Sequence, residues 1–70
     1  MNINKLKGRI VESNIPLQEI LRVAGISEST YYNKMSGRTE FTQKEICGLS
    51  RILRLSKDDI MSIFFDELVS

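Results

Sequence analysis

The sequence predicts an all-α domain. Three observations lead there: four helix-start signatures recur within 70 residues, apolar side chains between them repeat at helical spacing, and a Gly follows two of the periodic stretches. Four such starts leave no length for a sheet.

The first helix is expected near residues 2–13, with Ile3, Leu6, Ile10 and Val11 on one face. A second, near 17–24, carries Leu17, Ile20, Leu21 and Ala24 at i, i+3, i+4, i+7. Pro16 stands where its capping side chain belongs and is read as the first helical residue, a position at which a missing N–H costs nothing. The third helix, near 28–36, opens on Ser27 as cap, with Ile26 and Tyr31 at hydrophobic-staple spacing, and its inner stripe is Tyr31 and Met35. The fourth, near 43–54, opens on a capping box of Thr42 and Glu45 flanked by Phe41 and Ile46, and is striped by Ile46, Leu49, Ile52 and Leu53. The fifth, near 57–66, repeats the box with Ser56 and Asp59 between Leu55 and Ile60, and carries Ile60, Met61, Phe64, Phe65 and Leu68. Gly25 and Gly37 lie just past the second and third helices, where a left-handed cap is cheapest for Gly. With no internal repeat or linker, residues 1–70 are expected to form a single domain.

Composition narrows the function. Hydrophobic residues at 41% and charged residues at 27% describe an ordinary globular chain. There is no His and one Cys, Cys47, which excludes His-based triads, an internal disulfide and the usual Cys/His zinc sites. No catalytic residue, metal ligand or cofactor is expected, because no carboxylates pair at a spacing that suggests a cleft. Cys47 reads as a small buried or half-buried apolar residue. No apolar run is long enough to span a bilayer, and the first thirteen residues hold no unbroken apolar core of a leader, so a cytoplasmic, membrane-free module is expected.

Net charge is only +1, but it is unevenly placed. Residues 1–55 hold nine Lys and Arg against five Glu, a net of +4, whereas residues 56–70 hold Lys57 against four acids, a net of −3. A basic body with an acidic end suits a polyanion met by one face, although a mixed solvated surface explains the charge equally well.

The sharper signal is the pair of short helices joined through Gly25-Ile26-Ser27. A helix-turn-helix needs a Gly at the reversal, an apolar plug just after it (here Ile26), and a second helix attached by one narrow stripe so that the remainder can enter a major groove. With Tyr31 and Met35 as the stripe, steps of 100° per residue turn Ser29, Asn33 and Ser36 outward with Tyr32 beside them. The outward face is small, polar and uncharged, with Glu28 and Lys34 on its flanks.

Gly25-Ile26-Ser27-Glu28-Ser29-Thr30-Tyr31-Tyr32-Asn33-Lys34-Met35-Ser36-Gly37-Arg38, followed by Glu40-Phe41-Thr42, resembles the Xre/Cro helix-turn-helix family of phage and bacterial regulators. It is most similar to the small phage-encoded branch, in which a GIS…STxY recognition helix leads through a Gly-containing loop to EFT. The resemblance runs on to Ile60 through Phe65 and rests on joint agreement of motif, helix count and length. It implies a five-helix lambda-repressor-like DNA-binding domain acting in transcription on a palindromic double-stranded operator, often as a homodimer, in the cytoplasm of a bacterial host. Three positions depart from the family pattern: Leu21 replaces a small Ala, Lys34 replaces an apolar residue, and Pro16-Leu17-Gln18 replaces a Thr-Gln helix opening. The Lys34 stem is expected to lie along the core edge while its ammonium reaches water.

Base contacts are assigned to Ser29, Tyr32, Asn33 and Glu28. Asn33 leads because Asn pairs bidentately with the N6/N7 edge of adenine. Tyr32 can lay its ring on a thymine methyl, send its hydroxyl to a phosphate, or pack on Ser36 and the following loop. Glu28 can accept from cytosine N4, although a carboxylate in a first helical turn already answers the helix dipole. Backbone contacts are assigned to Gln18, Thr30, Lys34, Arg38, Thr39 and Lys44. Arg38 has the planar fork that suits phosphate, and Lys44 sits where a cation opposes its own helix dipole unless an anion arrives. Thr30 is equally suited to a local backbone bond. Ile63 with Phe65 or Leu68 is the candidate dimer surface. The rival reading is a protein–protein module, an antirepressor or modulator that meets another phage or host regulator through the Ile60–Leu68 face.

Overall fold

The computed structural model describes residues 1–69, of Val69 the backbone alone. Six helices follow one another: α1 Ile3–Ser13, α2 Leu17–Ala24, α3 Glu28–Met35, α4 Gln43–Ile52, α5 Lys57–Phe64 and the single turn α6 Asp66–Val69. No strand occurs among the described residues, so the molecule is all-helical.

The starts of α3, α4 and α5 are held by the predicted chemistry. Ser27 Oγ accepts from the Thr30 amide at 3.2 Å. Thr42 and Ser56 each close a complete capping box, with Glu45 and Asp59 accepting in return from the cap amides at 2.8 and 3.1 Å. Asn2 caps α1 by accepting from the Lys5 amide at 3.1 Å. Pro16 is not the first helical residue. It stands outside α2 at ψ 139°, and its carbonyl takes the first bonds from the Glu19 and Ile20 amides.

The ends are built alike. Asn14, Gly25, Gly37 and Arg54 all take left-handed backbone, with φ between 54° and 86°. The residue after each of the last three donates back to a carbonyl of the last turn: Ile26 to Leu21, Arg38 to Asn33, Leu55 to Ser50. At Asn14 a hydroxyl relays that bond, since the Ile15 amide donates to Ser13 Oγ, which donates to the Ile10 carbonyl.

The four most deeply buried large side chains come one each from α1, α2, α4 and α5: Leu6, Ile20, Leu49 and Ile63. α3 supplies none of them and attaches at the rim through Tyr31 and Met35. The most extensive helix packing is α2 on α4. Gly48 makes it so, because a Cβ there would lie 2.7 Å from the Ala24 Cα. α1 is held by Leu6, by an Arg9–Asp59 ion pair at 3.0 Å, and by the Asn2 amide donating to the Ile63 carbonyl. Phe41 and Phe64 meet edge to face with centroids 5.8 Å apart.

Four sequence expectations are corrected. Val11 is exposed, because it lies 140° around the helix from Leu6 and so off the buried stripe. The buried stripe of α5 is Ile60, Ile63 and Phe64, which leaves Met61 and Phe65 outside. Ile63, assigned to a dimer surface, is 1% exposed and belongs to the core. The fifth helix also ends early: the chain turns at Phe65, and Asp66–Val69 forms a separate turn whose Asp66 pairs with the Met1 ammonium at 2.8 Å.

Two substitutions test these joints. Gly48→Ala gains about 1 kcal/mol of helix propensity but drives a methyl into backbone, so urea denaturation should show a net loss of about 1–3 kcal/mol. Arg54→Gly relieves a left-handed non-Gly residue and should raise stability by about 0.5–1 kcal/mol; a loss would mean that the Arg side chain contributes more than its backbone costs.

Candidate nucleic-acid interface

α3 is eight residues long and buries three of them, Tyr31, Lys34 and Met35. Its outer side holds Glu28, Ser29, Tyr32 and Asn33, continued by Ser36, all exposed. Tyr32 is 56% exposed, with its ring edge-on to Tyr31 at 5.3 Å between centroids, which limits where the ring can swing. Ser36 Oγ donates to the Asn33 carbonyl at 2.7 Å, and Ser27 Oγ donates to Thr30 Oγ1 at 2.7 Å. Thr30 therefore makes its local bonds to the capping serine and is half-buried. The Asn33 carboxamide has no hydrogen-bond partner among the described residues.

Lys34 corrects its assignment as a backbone contact. Its ammonium does not reach water. It donates to Glu45 Oε1 and, at 3.0 Å, to the Glu40 carbonyl, and it lies 5.6 Å from the Phe41 ring centroid. At 7% exposure the residue is part of the interior and is not available to a phosphate. The same Glu45 oxygen accepts the Thr42 amide, so the α4 capping box and the grip on α3 share one atom. Burial alone would raise the Glu45 carboxyl, but the Lys34 ammonium and the Thr42 amide together outweigh it and hold the group below its ordinary value.

Of the other assigned cations, Arg38 and Lys44 are exposed. Lys44 is the second residue of α4, and the ion pair at Glu45 brings that turn alongside the C-terminal half of α3. Thr39 is exposed in the intervening loop, and Gln18 is exposed in the first turn of α2. The free positive charge near α3 thus comes from the loop and from α4, not from α3 itself.

Sequence reasoning missed the second role of Glu45. The signal was a Lys on the inner stripe of α3, between Tyr31 and Met35, where a charge needs a partner. Cys47 also departs from expectation: it is exposed on the outer side of α4, beside a shallow apolar groove shared with Ile46, Leu55, Ile60 and Phe65. Phe65, and Leu68 at 77%, remain exposed.

Among the described residues no helix is long and apolar enough to cross a membrane, and no three potential ligands gather to hold a metal. Comparison with protein-family models, with curated proteins and with solved structures finds no match to this chain.

Because the folded chain holds the Glu45 carboxyl below its ordinary value, the native state binds fewer protons there than the unfolded one. This contribution should be complete above the ordinary carboxylate range and fade as pH falls through the folded-state value. Glu45→Gln keeps a capping oxygen but strands the Lys34 charge, so a loss of about 2–3 kcal/mol at neutral pH is expected, with a flatter acid limb of the stability profile. Thr42→Ala should cost about 0.5–2 kcal/mol through the cap; an unchanged midpoint would show that the box contributes nothing.

Proposed function

We propose that the chain is a sequence-specific DNA-binding transcriptional regulator of the phage Xre/Cro type, with α2 and α3 as its helix-turn-helix within a lambda-repressor-like domain. The carrying observation is the outer face of α3, hydrogen-bonding and uncharged apart from Glu28 at its leading end, on a helix held only at the rim of the core. Gly25 at φ 71° makes the reversal and Ile26 is buried at the corner, as the motif requires. Asn33 and Tyr32 are the base readers, Ser29 a less selective one, and Glu28 lies at the leading end. Arg38, Thr39 and Lys44 are the phosphate contacts, with Gln18 second to them and Thr30 third because of its local bonds. Lys44 supports this reading by its position: a cation in a first turn opposes its own helix dipole and is stabilised when an anion is present.

A second reading keeps the fold but uses the far side. Met61, Phe65 and Leu68 are large apolar groups left exposed on and after α5, a surface suited to a second copy of the chain or to another regulator.

Salt titration separates the two. Binding to a duplex that carries the region upstream of its own coding sequence should weaken with salt at a log–log slope of about −0.9 per phosphate contact, and Lys44→Ala or Arg38→Ala should each reduce that slope by about one. Binding that stays flat with salt would overturn the duplex reading and leave the apolar side as the functional one.

A further inference from the structure

On the duplex-binding reading above, we infer that α3 selects A·T pairs and carries no free Arg or Lys to read guanine. Guanine offers two acceptors to the major groove, N7 and O6, and the side chains that match them are Arg and Lys. The sole cation in the span of α3 is Lys34, whose ammonium is already taken by Glu45 and the Glu40 carbonyl. The exposed hydroxyls of Ser29 and Tyr32 can each turn to donate or to accept, so neither distinguishes guanine from adenine. Ser36 uses its proton on the Asn33 carbonyl, and Ser27 uses its own on Thr30.

What remains with both a donor and an acceptor in one plane is the Asn33 carboxamide. Adenine presents N7 to accept and N6–H to donate, so one carboxamide satisfies both. Turned to guanine, the same group sets its carbonyl oxygen against an acceptor. The neighbouring Tyr32 ring, steadied by Tyr31, offers an apolar surface that gains from the thymine methyl and finds none on cytosine. The distance available is short. From Ser29 to Ser36 the helix rises about 10 Å, which covers about three base pairs. The operator is therefore expected to hold a short A·T-specified core under α3, with one pair fixed by Asn33.

Selection of the full chain on a randomised duplex pool tests this. The expected product has an A·T pair fixed in the core, whose change to G·C weakens binding roughly tenfold or more. Asn33→Ala should bind the two duplexes equally and keep the salt slope, since an amide on a base edge releases no counterion. Asn33 is exposed and unpartnered, so this substitution leaves the core intact. A fixed G·C pair in the core, lost with Arg38→Ala or Glu28→Gln, would overturn the inference, as would A·T discrimination that survives Asn33→Ala. Salt-dependent binding without base preference would overturn it and the sequence specificity of the proposed function, while leaving duplex binding itself standing. Absence of salt-dependent binding to any duplex would overturn both.

Discussion

One oxygen of Glu45 joins α3 to the start of α4. It accepts the Thr42 amide, which starts α4, and the Lys34 ammonium, which arrives from α3. α3 has little else to hold it, since its apolar attachment is Tyr31 and Met35 and none of the most deeply buried side chains is its own. A buried pair of this kind adds little net stability compared with apolar packing, because both charges leave water. What it supplies is register: the ammonium must reach the carboxylate, the Glu40 carbonyl and the Phe41 ring together, and one placement of α3 on α4 achieves this. Asp59 repeats the arrangement at the other end of the fold, where it closes the α5 box and takes Arg9 from α1. In both cases a carboxylate fixed by its own helix start serves as the anchor for a cation from elsewhere.

That pairing also sets the character of the outer face. By drawing its sole cation inward, α3 shows solvent a surface of hydroxyls, one amide and one phenol, with the Glu28 carboxylate at its leading end. Positive charge is supplied from the next segments, by Arg38 and Lys44, which frame the face without interrupting it. On the proposed duplex-binding function, attraction and discrimination are carried by different residues, so each can change without the other.

Much of the fold was legible because its signals are local. Ser27, Thr42 and Ser56 announce their helices through bonds within four residues, and Gly25 and Gly37 announce ends through backbone that only Gly adopts cheaply. The outward set Ser29, Tyr32, Asn33 and Ser36 followed from helical angle alone. What was not legible depends on contacts between distant residues. Lys34 finds Glu45 eleven positions on, and Gly48 seats against Ala24, neither of which periodicity reports. The end of the chain was misread for a different reason: Ile60 through Phe65 is so uniformly apolar that angle could not decide which members face in, and the interior took Ile63 and Phe64. Asn14 and Arg54 adopt left-handed backbone without being Gly, so composition gave no warning of either.

Between α1 and α2 and between α2 and α3 the connection is three residues, and between α4 and α5 it is four because Leu53 precedes Arg54; each closes with a left-handed residue, an apolar one, and the residue that opens the next helix. Ile26 and Leu55 each finish one helix by donating a backbone bond to its last turn, and Ile15 does so through the Ser13 hydroxyl. Such hinges have no slack. An added residue would turn the next helix by about 100° and roll its apolar stripe out of the interior. The stretch from Gly37 to Thr39 is different, since it is exposed and neither caps the next helix nor fills the core. Chain length has more freedom to vary there, beside the outer face of α3, so an inserted or grafted segment could extend that surface without disturbing the helices that carry the rest.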